Sequence, residues 1–304
     1  MELQQLLAPG LAALPVPELL GGNVNYLFTF GDSYTTTGFN VSAEQPAVGN
    51  PMGNPELGQG TASDGINWVG YLTTHFNHTL TFSYNLAVYG ATIDNEVVPN
   101  VPGDVVSQIR GMFGKHYCRG TADTTPEISS RSAIADAWTE VADAALFVIW
   151  VGINDVQFSY LAPHPLLQLT AALDTYFQLL TDLYDCGARR FLVLNVPPTT
   201  RTPNMLTHSP IRRARHLTTV HIFNLLLKRM VKRWAGGFPD ATLMLFDVFA
   251  FMGAVLDDPQ RYGFRDGTCV GEEGCVWWDD FHPRSEFHFV LARQLEGLLG
   301  GGLD

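Results

Sequence analysis

The sequence predicts an α/β protein, a three-layer sandwich with helices on both faces of a five-stranded parallel sheet. Three observations carry this. Short apolar runs recur through the chain at 26–30, 82–88, 146–151, 191–196 and 243–248. Segments of helical periodicity alternate with them, the pattern of β–α–β units joined by right-handed crossovers. The central run, 146–151, is apolar at every position, which marks a strand buried on both faces.

The first strand, 26–30, breaks at Gly31 and places Ser33 just past its end. A polar stretch, 35–64, follows; with Gly38, Gly49, Gly53, Gly58, Gly60 and three prolines it reads as an extended surface loop, and loops of this length are often functional. Asp64 is the expected N-cap of a helix with Ile66, Val69, Leu72 and Phe76 on its apolar face; Trp68 reads as core. The second strand ends at Tyr89-Gly90-Ala91. Helices are expected over 105–117 and 134–144, and the third strand ends at Gly152-Ile153-Asn154-Asp155. A strongly periodic helix, 166–184, closes at Gly187, a C′ glycine. The fourth strand stops at Pro197-Pro198, a long helix spans 211–234 with its Arg and Lys on a solvated face, and a helix over 286–299 closes the chain. No linker, repeat or composition break divides residues 23–304, which are read as one domain. Residues 6–20 are apolar but interrupted by Pro9, Gly10, Pro15 and Pro17, and no basic region leads them. That makes a poor signal peptide, so residues 1–22 are read as an N-terminal segment and a candidate leader remnant.

Composition narrows the function. Charged residues make up 16% of the chain and hydrophobic residues 46%. The net charge is −12, and no Lys or Arg precedes Arg110. This argues against nucleic acid and anionic membranes as partners and suits neutral substrates such as sugars or simple esters. No apolar run is long enough to span a bilayer, and a monomer is expected. The four cysteines contain no Cys-x-x-Cys pair. Cys269 and Cys275 flank a short loop and read as a disulfide; Cys118 and Cys186 remain as the second pair, although four cysteines allow three connectivities. With acceptor sequons at Asn40-Val41-Ser42 and Asn77-His78-Thr79, the chain reads as a secreted glycoprotein.

The chemistry gathers at strand ends, where open parallel sheets bind ligands. Ser33 is a nucleophile candidate, given a base within reach. The backbone N–H groups of Ser33 and Gly90 and the side-chain amide of Asn154 could receive an oxyanion, which needs several donors aimed at one point. The base comes from Trp277-Trp278-Asp279-Asp280-Phe281-His282-Pro283. His282 can take the serine proton, and a carboxylate three residues earlier can fold back to Nδ1. Spacing favours Asp279, leaving Asp280 as a solvated neighbour or cap. Trp277 and Trp278 either stack on a sugar ring or pack beneath the Cys269–Cys275 loop.

The blocks Gly31-Asp32-Ser33-Tyr34, Gly90, Gly152-Ile153-Asn154-Asp155 and Asp279-Asp280-Phe281-His282 resemble, in order, the four blocks of the GDSL or SGNH hydrolase superfamily. The resemblance covers the chain from Tyr26 to the last helix. It implies a flavodoxin-like sandwich, Ser33 as nucleophile, an oxyanion hole of Ser33, Gly90 and Asn154, and a triad completed by Asp279 and His282. Tyr34 departs from the leucine of the family's name. Residues 26–39 and 67–94, notably Asn67-Trp68-Val69-Gly70-Tyr71-Leu72 and Tyr84-Asn85-Leu86-Ala87, are similar to fungal acetylesterases of carbohydrate esterase family 16. That likeness implies removal of acetyl groups from xylo-oligosaccharides and related sugars, without a cofactor.

Other readings are weaker. His75 and His78 lack an acidic partner, and there is no His-Glu-x-x-His, so no metal site is expected. The adjacent pairs Glu272-Glu273 and Asp279-Asp280 do not by themselves flank a glycosidic bond. A lipase or longer-chain carboxylesterase of the same superfamily, or a catalytically inactive carbohydrate-binding protein, are the alternatives.

Overall fold

A computed structural model describes residues 24–118, 141–142 and 144–300. The elements in chain order are β1 (Val24–Gly31), α1 (Trp68–Thr74), β2 (Leu80–Asn85), β3 (Ala145–Trp150), α2 (Ile153–Ser159), α3 (Pro165–Asp185), β4 (Arg190–Leu194), α4 (Pro210–Gly237), β5 (Thr242–Phe246), α5 (Val248–Asp257), β6 (Asp266–Val270), β7 (Cys275–Trp277) and α6 (Ser285–Gly300). The first five strands form one parallel sheet in the order β2-β1-β3-β4-β5. Helix α1 packs on α6, while α4 and a π-helical segment, Ser107–Phe113, pack against α3. This is the expected sandwich with β1 in the interior of the sheet.

An in-register row of rings fixes the sheet's alignment. Tyr84, Phe28, Phe147 and Phe191 stand opposite one another on β2, β1, β3 and β4. Phe28 stacks on Tyr84 at 4.8 Å and on Phe147 at 5.2 Å, and Trp234 of α4 meets Phe191 edge-on at 5.4 Å. Slipping one strand by a residue would turn its ring to the other face, and each such pair adds about 0.5–1.5 kcal/mol beyond its buried area. The row therefore registers the strand ends that carry the site.

Several elements differ from expectation. The N-cap of α1 is Asn67, not Asp64: its Oδ1 accepts the N–H groups of Val69 and Gly70, and its amide donates to the Thr35 and Thr36 carbonyls. Asp64 is drawn away by Arg284, at 2.5 Å, and accepts the Ser285 N–H. The fifth strand stops at Phe246. The apolar residues after it form α5, capped by Asp247 through the Ala250 N–H. The helix expected over 105–117 is π-helical across Ser107–Phe113 before a last turn at Gly114–His116. Strands β6 and β7 form a separate two-stranded sheet that was not expected. The helix expected over 134–144 lies largely outside the described residues, as do residues 1–22.

Both disulfides pair as expected. Cys118–Cys186 ties the chain just past the Gly114–His116 turn to the C-cap of α3, and Cys269–Cys275 joins β6 to β7. Among the described residues, no helix is long and apolar enough to cross a membrane.

Candidate active site

The nucleophile candidate is presented by a turn that only glycine can enter. Gly31 ends β1 at φ +144°, and a Cβ there would lie 2.0 Å from the Trp150 carbonyl oxygen of β3. The chain then closes a helical turn: the N–H groups of Thr35 and Thr36 donate to the Asp32 carbonyl, and the Tyr34 N–H donates to the Asp32 carboxylate at 3.0 Å. Ser33 sits inside this turn, 5% exposed. Gln108, from the π-helical segment, grips the turn from behind. Its Oε1 accepts the Gly31 N–H at 2.9 Å and its Nε2 donates to the Gly31 carbonyl at 2.8 Å.

The tail of the chain meets this turn. His282 Nε2 lies 2.9 Å from Ser33 Oγ, across a sequence separation of 249. On its other side Nδ1 lies 2.8 Å from Asp279 Oδ2. Asp279 Oδ1 accepts the backbone N–H groups of Phe281 and His282, at 2.7 and 2.6 Å. Burial alone would raise the Asp279 carboxyl, but the bonds from the His282 ring and backbone and from Phe281 outweigh it and hold the group below its ordinary range. Asp280 is turned elsewhere, accepting the side-chain amide of Asn204 at 2.8 Å. An imidazole flanked by a hydroxyl and an ionised carboxylate at these distances can draw a proton from the serine and return it to a leaving oxygen.

Gly90 and Asn154 follow the carboxyl ends of β2 and β3, the strands on either side of β1. Gly90 is in the left-handed region at φ +77°, in a turn closed by the Ala91 N–H on the Val88 carbonyl. Asn154 opens α2, whose N-cap Gly152 is left-handed at φ +116° and sits so close to Phe223 that a Cβ there would meet its ring at 2.4 Å. The Asn154 amide donates one N–H to the Ala91 carbonyl at 2.9 Å, which ties the two loops together. Among the described residues no protein acceptor takes the Ser33 or Gly90 backbone N–H. Three adjacent strand ends thus hold two open backbone donors and the second hydrogen of an amide.

Two further carboxyls lie beneath. Burial pushes Asp32 up to about 8, against the pull of the Tyr34 N–H and with a push from Asp155. Burial also raises Asp155 to about 7, although both its oxygens accept the Ile93 N–H. His288, on α6, is pushed down to about 3 by burial and by His282.

The two tryptophans separate. Trp277 is fully buried, and its indole donates to the Gly267 carbonyl at 2.7 Å. It packs under the disulfide loop and presents no face to a sugar. Trp278 is 41% exposed, with the Arg284 guanidinium 5.8 Å from its ring. Three residues near the site were given no role from sequence. Gln108 carries no sequence signal. Tyr34 did, as the departure from leucine: its hydroxyl donates to the Phe281 carbonyl at 2.5 Å. Tyr89 holds its ring 5.3 Å from the His282 imidazole. No cluster of three or more His, Cys, Asp or Glu placed to hold a metal occurs among the described residues.

A parallel sandwich carrying Ser33, His282 and Asp279 in one chain of contacts is suited to acyl transfer. Comparison agrees. The family model described as GDSL-like lipase/acylhydrolase matches residues 27–295, and the chain belongs to that family as a carboxylic ester hydrolase. It is 37% identical over 292 residues to an acetylesterase of Thermothelomyces thermophilus, covering 95% of this chain and 93% of the relative. It is 22% identical to an acetylesterase of Hypocrea jecorina, covering 91% and 89%. Among solved structures it shares its fold with a variant of Axe2, an acetyl xylan esterase of Geobacillus stearothermophilus, at TM-score 0.50 and 16% identity, covering 93% and 97%. It also shares it with LAE5, an alpha/beta hydrolase enzyme from the metagenome of Lake Arreo, at TM-score 0.51 and 16% identity, covering 93% and 99%.

Proposed function

We propose that the protein removes acetyl groups from carbohydrates through an acetyl-enzyme on Ser33. The observation that carries the reading is the unbroken path Ser33–His282–Asp279, at 2.9 and 2.8 Å, drawn from opposite ends of the chain. Ser33 Oγ attacks the acetyl carbonyl carbon as His282 Nε2 accepts its proton. The ionised Asp279 stabilises the imidazolium and keeps its ring oriented. The carbonyl oxygen, now negative, is received by the N–H groups of Ser33 and Gly90 and the Asn154 amide. Collapse breaks the bond to the sugar oxygen, which takes the proton from His282 and leaves as an alcohol. Water then enters, gives one proton to His282 and attacks the acetyl carbon; Ser33 regains its hydrogen from His282 and acetic acid departs, ionising to acetate in solution.

The acetyl preference is supported by the two acetylesterase relatives. An acetyl group offers few contacts, so discrimination must come from the alcohol portion. The two disulfides suit an oxidising, extracellular compartment. Asn40 is exposed and free to carry a glycan, while Asn77 is half-buried.

The test is NMR-followed deacetylation of acetylated xylo-oligosaccharides. Ser33→Ala is expected to lower kcat by at least about 10⁴-fold, with the fold retained. Sugar binding without turnover by the native protein, or turnover unchanged in Ser33→Ala, would instead identify an inactive carbohydrate-binding protein. Octanoate esters hydrolysed as fast as acetates would identify a longer-chain carboxylesterase.

A further inference from the structure

We infer that Tyr89 is the platform against which the leaving sugar sits, and hence a specificity-determining residue of the acetylesterase reading on which this rests. Tyr89 is 57% exposed, the most exposed aromatic side chain among the described residues. Its ring centroid stands 5.3 Å from the His282 imidazole at an interplanar angle of 45°. Its backbone is held by the turn that closes from the Ala91 N–H to the Val88 carbonyl, and Asn100 fixes the neighbouring Gly90 carbonyl at 2.6 Å. The ring is therefore tethered at the mouth of the site while most of it faces solvent.

The chemistry brings the sugar to this ring. To protonate the leaving oxygen, His282 Nε2 must approach it within hydrogen-bond distance, about 3 Å. An alcohol held there by its oxygen lies against whatever flanks the imidazole, and Tyr89 is the exposed group that does. A pyranose offers a face of C–H groups that packs on an aromatic ring, and hydroxyls that reach the phenol oxygen. Trp278, the sequence's own candidate, has its ring beside Arg284, which is bound to Asp64. Burial, with Asp279 and Asp280 adding, raises the Tyr89 phenol, so it remains a hydrogen-bond donor at the rim. Contacts to the alcohol far from the reacting carbon are the means by which a small acyl group can be selected in one setting and ignored in another.

The experiment compares Tyr89→Ala and Tyr89→Phe with the native enzyme on two substrates. One is an acetylated xylo-oligosaccharide; the other is ethyl acetate, whose two-carbon alcohol is too small to cover the ring. In Tyr89→Ala, kcat/KM for the oligosaccharide is expected to fall at least about tenfold further than kcat/KM for ethyl acetate, chiefly through KM. Tyr89→Phe, which keeps the ring, is expected to restore most of the loss. Equal losses on both esters would mean that Tyr89 acts only through His282, and no loss on the oligosaccharide would mean that the sugar lies elsewhere; either overturns the inference while leaving the esterase reading standing. Native enzyme inert toward both esters would overturn both.

Discussion

The two aspartates nearest the reacting atoms are held in opposite states, and the contrast describes the two halves of the site. Asp32, one residue before Ser33, is pushed up to about 8 by burial and keeps its proton near neutrality. Asp279, three residues before His282, receives bonds from one ring and two backbone N–H groups and is held below its ordinary range. Environments that push neighbouring carboxyls apart in this way usually separate roles. In the proposed mechanism a neutral Asp32 puts no negative charge beside the point where the oxyanion would form, and an ionised Asp279 puts one beside the point where the imidazolium would form. The first group is embedded in the sheet, between Gly31 and the helical turn; the second stands on a loop between β7 and α6 and is partly exposed.

The largest expected effect comes from removing the charge on the tail side. Asp279→Asn keeps the size of the side chain but offers His282 an amide. It is expected to lower kcat by about 10³–10⁴-fold through loss of the imidazole's orientation and of the imidazolium's counter-charge. Global stability should hardly change, since the group is partly exposed. Steady-state kinetics beside a urea melt reads both quantities, and a loss of under tenfold would put the orienting role on another residue.

The head side is tested by pH. In the unfolded chain Asp32 ionises near its ordinary 3.8, but in the folded protein it does so at about 8. Between those values folding takes up a proton, so stability from this group falls as pH rises from about 4 to about 8. Asp32→Asn removes the titration and leaves Oδ1 to accept the Tyr34 N–H. The variant is expected to show a shallower decline in unfolding free energy between pH 5 and pH 8 than the native protein, with the gap widening toward pH 8. Urea melts at the two pH values measure it, and parallel declines would assign the slope to Asp155, which titrates at about 7. Asp279 has the opposite sign: a carboxyl held low adds stability above its unfolded pKa that disappears as pH falls, so whatever small difference Asp279→Asn makes is present near neutrality and vanishes on the acid side.

The same contrast explains what could be read from sequence. The strands and the four blocks were legible because each is local: an apolar run broken by Gly31, Gly90 or Gly152 at three strand ends, and a carboxylate three residues before a histidine in the fourth. Helix α5 was not, because its residues continue the apolar run of β5 with no Gly or Pro between Phe246 and Met252 to mark the change of period. Asn67 displaced Asp64 as the cap of α1 because the competitor for Asp64, Arg284, arrives from 220 residues away. Gln108 and Tyr34 act across 77 and 247 residues, and a single glutamine or tyrosine has no periodic signature. The chemistry was written in short motifs, whereas the supports of that chemistry are long-range contacts.

Tyr34 joins the two halves, and breaking that link is the smallest and most pointed test. Its N–H belongs to the Asp32 turn, its hydroxyl donates to the Phe281 carbonyl, and its ring lies 5.7 Å from that of His282. Burial, with Asp32 and Asp279 adding, pushes the phenol well above its ordinary range, so the hydroxyl remains a donor throughout the working pH. Tyr34→Phe leaves the ring packed against Trp150 but the Phe281 carbonyl without its partner, at a cost of about 1–2 kcal/mol. If that bond merely stabilises the fold, the melt shifts and kcat does not. If it holds the tail loop in register with the head, kcat falls several-fold at constant KM, because a base displaced by a fraction of an ångström accepts the serine proton less readily. The second outcome is expected. An unchanged kcat would show that the Asp279 bonds to the backbone of Phe281 and His282 suffice to place the imidazole.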